Sequence, residues 1–309
     1  MRCLYPRTVG FQADGKTISW SQKNFSKQYA TFQLPCSKCI ECRLEYARTW
    51  AVRCVHEAKM YQDNSFVTLT YSDENLKSPK LQYKDFQNFM KRLRKSTTAT
   101  IGMFVTGEYG EKTKRPHWHA IIFNWTPKDL KYKYTNDTGD KLYSSQHLDR
   151  LWTHGITETG NVTFKSAGYV ARYAAKKLIH GKDDEHDYHP VSKKSSKQAI
   201  GKKFLEHYYK DIFNYGECLI EGQKISIPRY YTKWLEKHHP DDWIRYVTET
   251  KLKSERFARD KSQKETEQYF KTDEKRALGR GRLITPQKIK EKITEERFQR
   301  LNQYLKGDI

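Results

Sequence analysis

The 309-residue sequence holds no unbroken run of about 18 apolar residues, the length a membrane-crossing helix needs. Its first residues, MRCLYPRTVG, lack the apolar stretch of a secretory leader, so none is expected. Cysteine is scarce: six residues are too few for a disulfide framework in a chain of this length. No glycine-rich phosphate loop of the Walker type occurs, and no internal repeat, which argues against ATP-driven chemistry and against a repeat architecture. Acidic residues are under-supplied. There are 37 Asp and Glu against 58 Lys and Arg, a formal charge of +21. Such an excess repels itself in a compact state unless a polyanion offsets it.

Two polyanions come into question, nucleic acid and an anionic membrane. A membrane surface would call for a basic amphipathic helix, and none stands out. Aromatic residues make up 14% of the chain, with 21 Tyr and 7 Trp. Rings that stack on bases, mixed with cations that meet phosphates, suit single-stranded nucleic acid. Three of the six cysteines cluster, which reads as metal binding in a reducing, intracellular setting.

Hydrophobic periodicity divides the chain. Residues 1–60 form a cysteine-rich element running into a helix with Ala47, Trp50, Ala51, Cys54 and Val55 on one face. Residues 61–246 carry the predicted core. Strands are expected at 65–72, 101–110, 117–124 and 161–166, the second and third joined as a hairpin. Helices are expected at 84–96, at 146–155 ending in Gly155, and at 167–180. Residues 181–203 read as a solvent-exposed loop, 204–246 as folded, and 247–309 as a charged helical tail broken near 278–286. The pattern predicts an α+β fold: an antiparallel sheet with helices on one side.

The segment RPHWHAIIF (115–123) carries the chemistry. On a strand, residues two apart share a face, so His117 and His119 point one way and Trp118 the other, with Ala120 and Ile122 beneath Trp118. Two imidazoles on one face can share a metal ion, although a pair of surface histidines is the simpler account. Glu108, at the end of the preceding strand, is the expected third ligand, with Glu111 in reserve. Magnesium, manganese, zinc, iron and nickel all remain open for such a donor set.

In YVARYAAKK, Tyr169 and Tyr173 stand one helical turn apart, with Lys176 three residues further on. Amphipathic tyrosines capping a core would explain the pair. Nucleophilic attack on a phosphodiester, giving a phosphotyrosyl intermediate, would also explain it.

A His-hydrophobe-His strand followed by a Tyr-x3-Tyr-x2-Lys helix resembles the HUH endonucleases, which initiate rolling-circle replication. FVTLTY resembles the family's first motif. PCSKCIECR, WAVRCVHE, GEYGEKTKRPHWHAIIF, GYVARYAAKK and IPRYY are similar to the replication initiators of gokushoviruses, single-stranded DNA phages of the Microviridae. The resemblance covers the chain to about residue 246 and implies a ferredoxin-like or RRM-like core. It implies that His117, His119 and Glu108 hold Mg or Mn, and that Tyr169 and Tyr173 cut and rejoin the DNA strand in turn. It implies further that Lys176 steadies the metal, phosphate or tyrosinate. Phage origin DNA, host helicase and polymerase would be the partners, in the bacterial cytoplasm.

Cys36, Cys39 and Cys42 form C-x2-C-x2-C, a spacing that lets thiolates converge on one ion. Structural zinc, free thiols and an iron–sulfur cluster all fit. Cys3 is the expected fourth ligand, and Cys54 or His56 the alternative. Arg172, Lys177, Arg229 and Tyr230 are expected at the DNA, with KRLRK (91–95), KKSSK (193–197) and GRGR (279–282) as further phosphate contacts. The rival readings are a transposase or relaxase of the same chemistry, a non-catalytic zinc-stabilised single-strand binder, and a cupin-type metal oxidase. The last lacks the carboxylate expected a few residues after the second histidine.

Overall fold

Contacts group the chain into two units, residues 1–45 with 260–309 and residues 46–259. The computed structural model describes residues 3–110, 114–137, 139–176, 191–195, 198–277 and 286–306. In the first unit, β1 (Arg7–Phe11) pairs antiparallel with both β2 (Ile18–Ser19) and β3 (Phe32–Leu34). The chain then enters α1 (Ile40–Ala58), inside which the unit boundary falls. Among the described residues 3–45 only Val9, Gly10 and Ser19 are buried. No helix among the described residues is long and apolar enough to cross a membrane.

The second unit is built on a seven-stranded antiparallel sheet. Its strands are β4 (Asn64–Tyr71), β5 (Gly102–Tyr109), β6 (Pro116–Phe123), β7 (Lys131–Thr135), β8 (Lys141–Ser144), β9 (Gly155–Gly160) and β10 (Val191–Lys194). They lie in the order β10-β5-β6-β4-β9-β8-β7. The expected hairpin is present: β5 pairs with β6, and β4 flanks β6 on the other side.

Both faces of the sheet are apolar, so both need cover. One face carries Val67, Leu69, Val105, Trp118, Ala120 and Ile122. It packs on α2 (Tyr83–Lys95), through Phe86, Phe89 and Leu93, and on α3 (Gln146–Trp152). The other face carries Phe104, Ile121 and Phe123. It packs on α1, on α4 (Phe164–Lys176), on α5 (Lys202–Tyr215) and on α6 (Arg229–His238). The α+β antiparallel architecture is thus as expected, with helices on the second face as well as the first. The hairpin β11 (Cys218–Ile220) and β12 (Gln223–Ile225) and the short α7 (Pro240–Arg245) complete the folded region expected at 204–246. In the tail, α8 (Leu252–Ala277) and α9 (Pro286–Lys306) are the two charged helices expected there.

Local differences from the sequence pattern have local causes. The strand expected at 161–166 is absent. Residues 155–160 form β9 instead, and α4 starts at Phe164 because Thr163 and Ser166 cap it reciprocally. The Thr163 amide donates to Ser166 Oγ (2.8 Å), and the Ser166 amide donates to Thr163 Oγ1 (3.1 Å). The helix expected to end at Gly155 stops at Trp152, where Thr153 takes a left-handed conformation. Within the stretch read as a loop, Val191–Lys194 forms β10, because the open edge of β5 offers unpaired backbone groups. The hairpin β7–β8 carries no strong hydrophobic alternation, and the sequence pattern gives no sign of it.

Trp118 is fully buried, and its indole N–H donates to Tyr71 Oη (3.2 Å). Gly107 faces it across the hairpin, where a Cβ would stand 2.5 Å from the ring. Trp118→Ala should therefore cost about 3–5 kcal/mol. Urea denaturation checks this, and a change under about 1 kcal/mol would mean this face is not the organising core.

Candidate metal and tyrosine site

Register places the site. Glu108 on β5 stands opposite His117 on β6, and Thr106 opposite His119. On the other side, β4 sets Thr70 against His117 and Thr68 against His119. All these residues share the sheet face that carries Phe104 and Ile121. Glu108, His117 and His119 offer ligand atoms that all lie within 4.8 Å of one another. Glu108 Oε1 is 3.0 Å from His117 Nε2 and 2.7 Å from His119 Nε2. Glu111, the reserve ligand, lies outside the described residues.

The outer nitrogens are held. His117 Nδ1 donates to the Arg115 carbonyl (3.1 Å), and His119 Nδ1 pairs with Thr68 Oγ1 (3.0 Å). Partners of this kind fix ring orientation and leave Nε2 facing inward, as metal-binding histidines require. Phe66 stacks on the His119 ring at 5.7 Å between centroids and closes that side to water. Glu108 Oε2 is buried and has no hydrogen-bond partner among the described residues. An orphaned carboxylate oxygen beside two inward imidazole nitrogens fits a divalent cation better than it fits a packed core.

Electrostatics follow from these contacts. Burial alone would raise the Glu108 pKa, but the two histidines outweigh it and pull it down to about 2. Burial would lower the pKa of His117, yet its bonds to Glu108 and to the Arg115 carbonyl raise it. Burial dominates at His119 and lowers its pKa despite Glu108.

α4 crosses β5 and β6. Ala167, Val170 and Ala171 form its buried stripe, and their small size lets the helix approach closely. Tyr169 stands beside that stripe. Its hydroxyl donates to Glu108 Oε1 (3.3 Å), and its ring meets His119 edge-on at 5.0 Å. Tyr173 and Lys176 belong to the same helix, one and about two turns on, with side chains outside the described residues. Lys177 lies wholly outside them. Arg172 is half-buried on α4 and Arg229 exposed at the start of α6. Tyr230 lies against the buried Arg53 guanidinium (4.3 Å), which occupies one face of its ring. Of the basic runs, 91–95 forms the end of α2, 193–195 begins at β10, and 279–282 lies outside the described residues.

The sheet shows residues that periodicity could not reveal. Glu158 on β9 pairs with Thr68, so it sits on the histidine face, two strands from His119. Lys133 Nζ (2.6 Å) and the Tyr134 hydroxyl (3.3 and 3.4 Å) both donate to it. β7 thereby extends this face as an exposed strip that includes Lys131, Tyr132 and Tyr134.

The second cluster is in the other unit. Cys3, Cys36, Cys39 and Cys42 converge with sulfurs all within 4.8 Å, and none is in a disulfide. Cys3 is thus the cysteine that joins the C-x2-C-x2-C set. Cys54 is fully buried in the apolar core, and His56 is bonded to Tyr231 Oη (3.0 Å).

The cation-free site has a defined pH response. His117 meets acceptors at both nitrogens, so it is an imidazolium there. Its raised pKa contributes stability that is full below the ordinary histidine value and lost as pH rises through the raised one. Glu108, with its lowered pKa, contributes stability above the ordinary carboxylate value that is lost as pH falls toward about 2. A cation binding Nε2 must displace the His117 proton. Affinity for Mn should therefore fall as pH drops through the His117 pKa, with proton release on binding. Calorimetry in buffers of different ionisation enthalpy measures this, and proton-neutral binding would rule out His117 as a ligand.

A family model for phage replication-associated proteins of the ORF2 type matches residues 64–178, the span from β4 through α4. The chain is 44% identical, over 99% of its length and all of the relative's, to Replication-associated protein VP4 of Bdellovibrio phage phiMH2K. It is 34% identical to Replication-associated protein ORF4 of Chlamydia phage 1, over 70% of this chain and 56% of the relative. It is 31% identical to Replication-associated protein ORF2 of Spiroplasma virus 4, over 84% and 87%. No solved structure matches it. Alike along its whole length to one such protein, and with its histidine strand and tyrosine helix inside the family model, the chain belongs to the VP4-type replication-associated proteins of microviruses.

Proposed function

We propose that this phage replication protein is an HUH-type nickase and strand transferase that starts rolling-circle replication on single-stranded origin DNA. One observation carries the reading: the Tyr169 hydroxyl is hydrogen-bonded to the carboxylate that two inward imidazoles hold. A core tyrosine has no need of that partner.

Glu108, His117 and His119 would hold Mg or Mn, which when bound supplies charge neutralisation at a phosphoryl oxygen. The chain's own residues do the rest. Glu108 Oε1 accepts the Tyr169 hydroxyl bond and orients the phenol. With a pKa near 2 the carboxylate stays anionic and is a poor final proton acceptor, so its task is orientation. Tyr169 Oη, on losing its proton to solvent, attacks phosphorus and forms a P–O bond. The P–O3′ bond breaks, and the 3′ oxygen leaves and takes up a proton. The products are a 5′-phosphotyrosine and a free 3′ hydroxyl that primes synthesis. One phosphoester replaces another, so no nucleotide is consumed. Tyr173, one turn along α4, would perform the second cut, after which the freed 3′ end attacks the first phosphotyrosine and closes the circle. Lys176 would steady the phosphate or the phenolate. Host helicase and polymerase would extend the primer in the bacterial cytoplasm.

The strand's path is proposed along the histidine face toward β7, where Lys133, Tyr134 and Tyr132 combine cations with rings. Arg172, Lys177, Arg229 and Tyr230 would add contacts.

Incubation with origin single-stranded DNA and Mn should give a covalent adduct on a denaturing gel. Tyr169→Phe and Tyr173→Phe should each keep part of it, and the double variant none. An adduct surviving in the double variant would show that the nucleophile lies elsewhere. A wild-type protein that binds the DNA but never forms the adduct would favour the single-strand binder.

Tyr134→Ala should weaken binding of an oligonucleotide long enough to reach β7 by about 1–3 kcal/mol. A short oligonucleotide covering only the cleavage site should bind unchanged. Fluorescence anisotropy compares them, and equal loss for both would refute the path.

A further inference from the structure

We propose that Cys3, Cys36, Cys39 and Cys42 bind a single zinc ion and that this ion, rather than a hydrophobic core, folds the N-terminal sheet. The site is independent of the histidine site.

Three observations support it. The first is spacing. A tetrahedral zinc with bonds of about 2.3 Å sets its sulfurs about 3.8 Å apart. Here Cys36 Sγ and Cys42 Sγ are 3.9 Å apart, as are Cys3 Sγ and Cys39 Sγ. A disulfide would need about 2.05 Å. A multi-iron cluster spreads its thiolates over separate irons and needs a wider opening.

The second is the backbone. Ser37 takes φ 61°, which turns the chain between Cys36 and Cys39. The Cys39 amide then donates to Cys36 Sγ (3.3 Å), and the Cys36 amide to Cys3 Sγ (3.2 Å). N–H groups aimed at sulfur stabilise thiolates, the form that binds metal. Arg43 adds a cation to the same helix start. Its Nε is buried with no hydrogen-bond partner among the described residues. Four thiolates around one zinc keep an excess of negative charge, which a neighbouring guanidinium offsets without a directed bond.

The third is what the sheet lacks. β1, β2 and β3 have 5, 2 and 3 residues. Val9 is the one buried hydrophobic side chain among the described residues 3–45. Ordering each residue costs about 1–2 kcal/mol of backbone entropy, and one valine offsets about 1.5–3 kcal/mol. A segment so poor in core needs another source of stability, and a metal cross-link between residue 3 and the start of α1 provides it. On binding, the thiol protons pass to the buffer and the zinc keeps its oxidation state, so no redox partner is required.

Elemental analysis of the full-length protein, purified without added metal and dialysed against EDTA, tests this. Zinc should remain at one equivalent. It should persist in the His117→Ala/His119→Ala double variant and be lost in Cys39→Ser. Because Cys39→Ser can unfold the segment, wild-type protein refolded with cobalt gives a second readout. Intense thiolate-to-cobalt charge-transfer bands with tetrahedral d–d absorption are expected. Stripping the metal with a strong chelator should expose four thiols to a thiol reagent together and open residues 1–45 to limited proteolysis. A native protein with no stoichiometric metal and these cysteines already reactive would overturn the proposal, as would an octahedral cobalt spectrum. One equivalent of iron in place of zinc would overturn the choice of ion. Loss of zinc from the histidine variant would assign it to the other site.

Discussion

Two imidazoles gripping one buried carboxylate is the interaction on which the catalytic unit depends. A carboxylate sunk this deep is costly unless paired and hydrogen-bonded. Glu108 is paired twice, and Tyr169 adds a third contact. The arrangement exists only in one register. A one-residue slip between β5 and β6 would turn both histidines to the face occupied by Trp118. Val67, Leu69, Val105, Trp118, Ala120 and Ile122, buried against α2 and α3, forbid that slip. The apolar packing of one face thus holds the chemistry of the other in place.

Helix α4 brings the phenol to that carboxylate by being small where it touches the sheet. Ala167 and Ala171 lie over β5 and β6, and bulkier residues there would lift Tyr169 away from Glu108. The helix starts where Thr163 and Ser166 cap it, directly after β9, so the order strand, cap, helix sets which residues face the histidines. Phe66, on the strand next to β6, touches both the His119 and Tyr169 rings and ties the two elements together.

The two units solve the stability problem differently. The larger has two apolar cores on either side of one sheet, enough to carry a polar cluster within it. The smaller has little buried surface and a set of converging thiols. The charge of +21 fits both, since a chain that works on a polyanion gains from cations that would burden it alone.

Much of the site was legible in the sequence because it rests on short periods. His117 and His119 share a face because strands repeat every two residues, and Tyr169 and Tyr173 align because helices repeat every three to four. The hairpin that returns Glu108 to His117 follows from two strands and a short link. Cys36, Cys39 and Cys42 announce themselves by spacing. Other features depend on partners distant in the chain. The β10 strand exists because β5 has an open edge, Glu158 joins the histidine face through its pairing with β4, and helices cover both faces because both are apolar. Residues 161–166 read as a strand because Val162, Thr163 and Phe164 favour one, yet the capping pair makes Thr163–Ser166 the start of a helix. Sequence alone determined which residue types stand together within one element. Tertiary structure decided which elements meet, because register, edge pairing and helix docking are settled by burial summed over the whole sheet, which no local window contains.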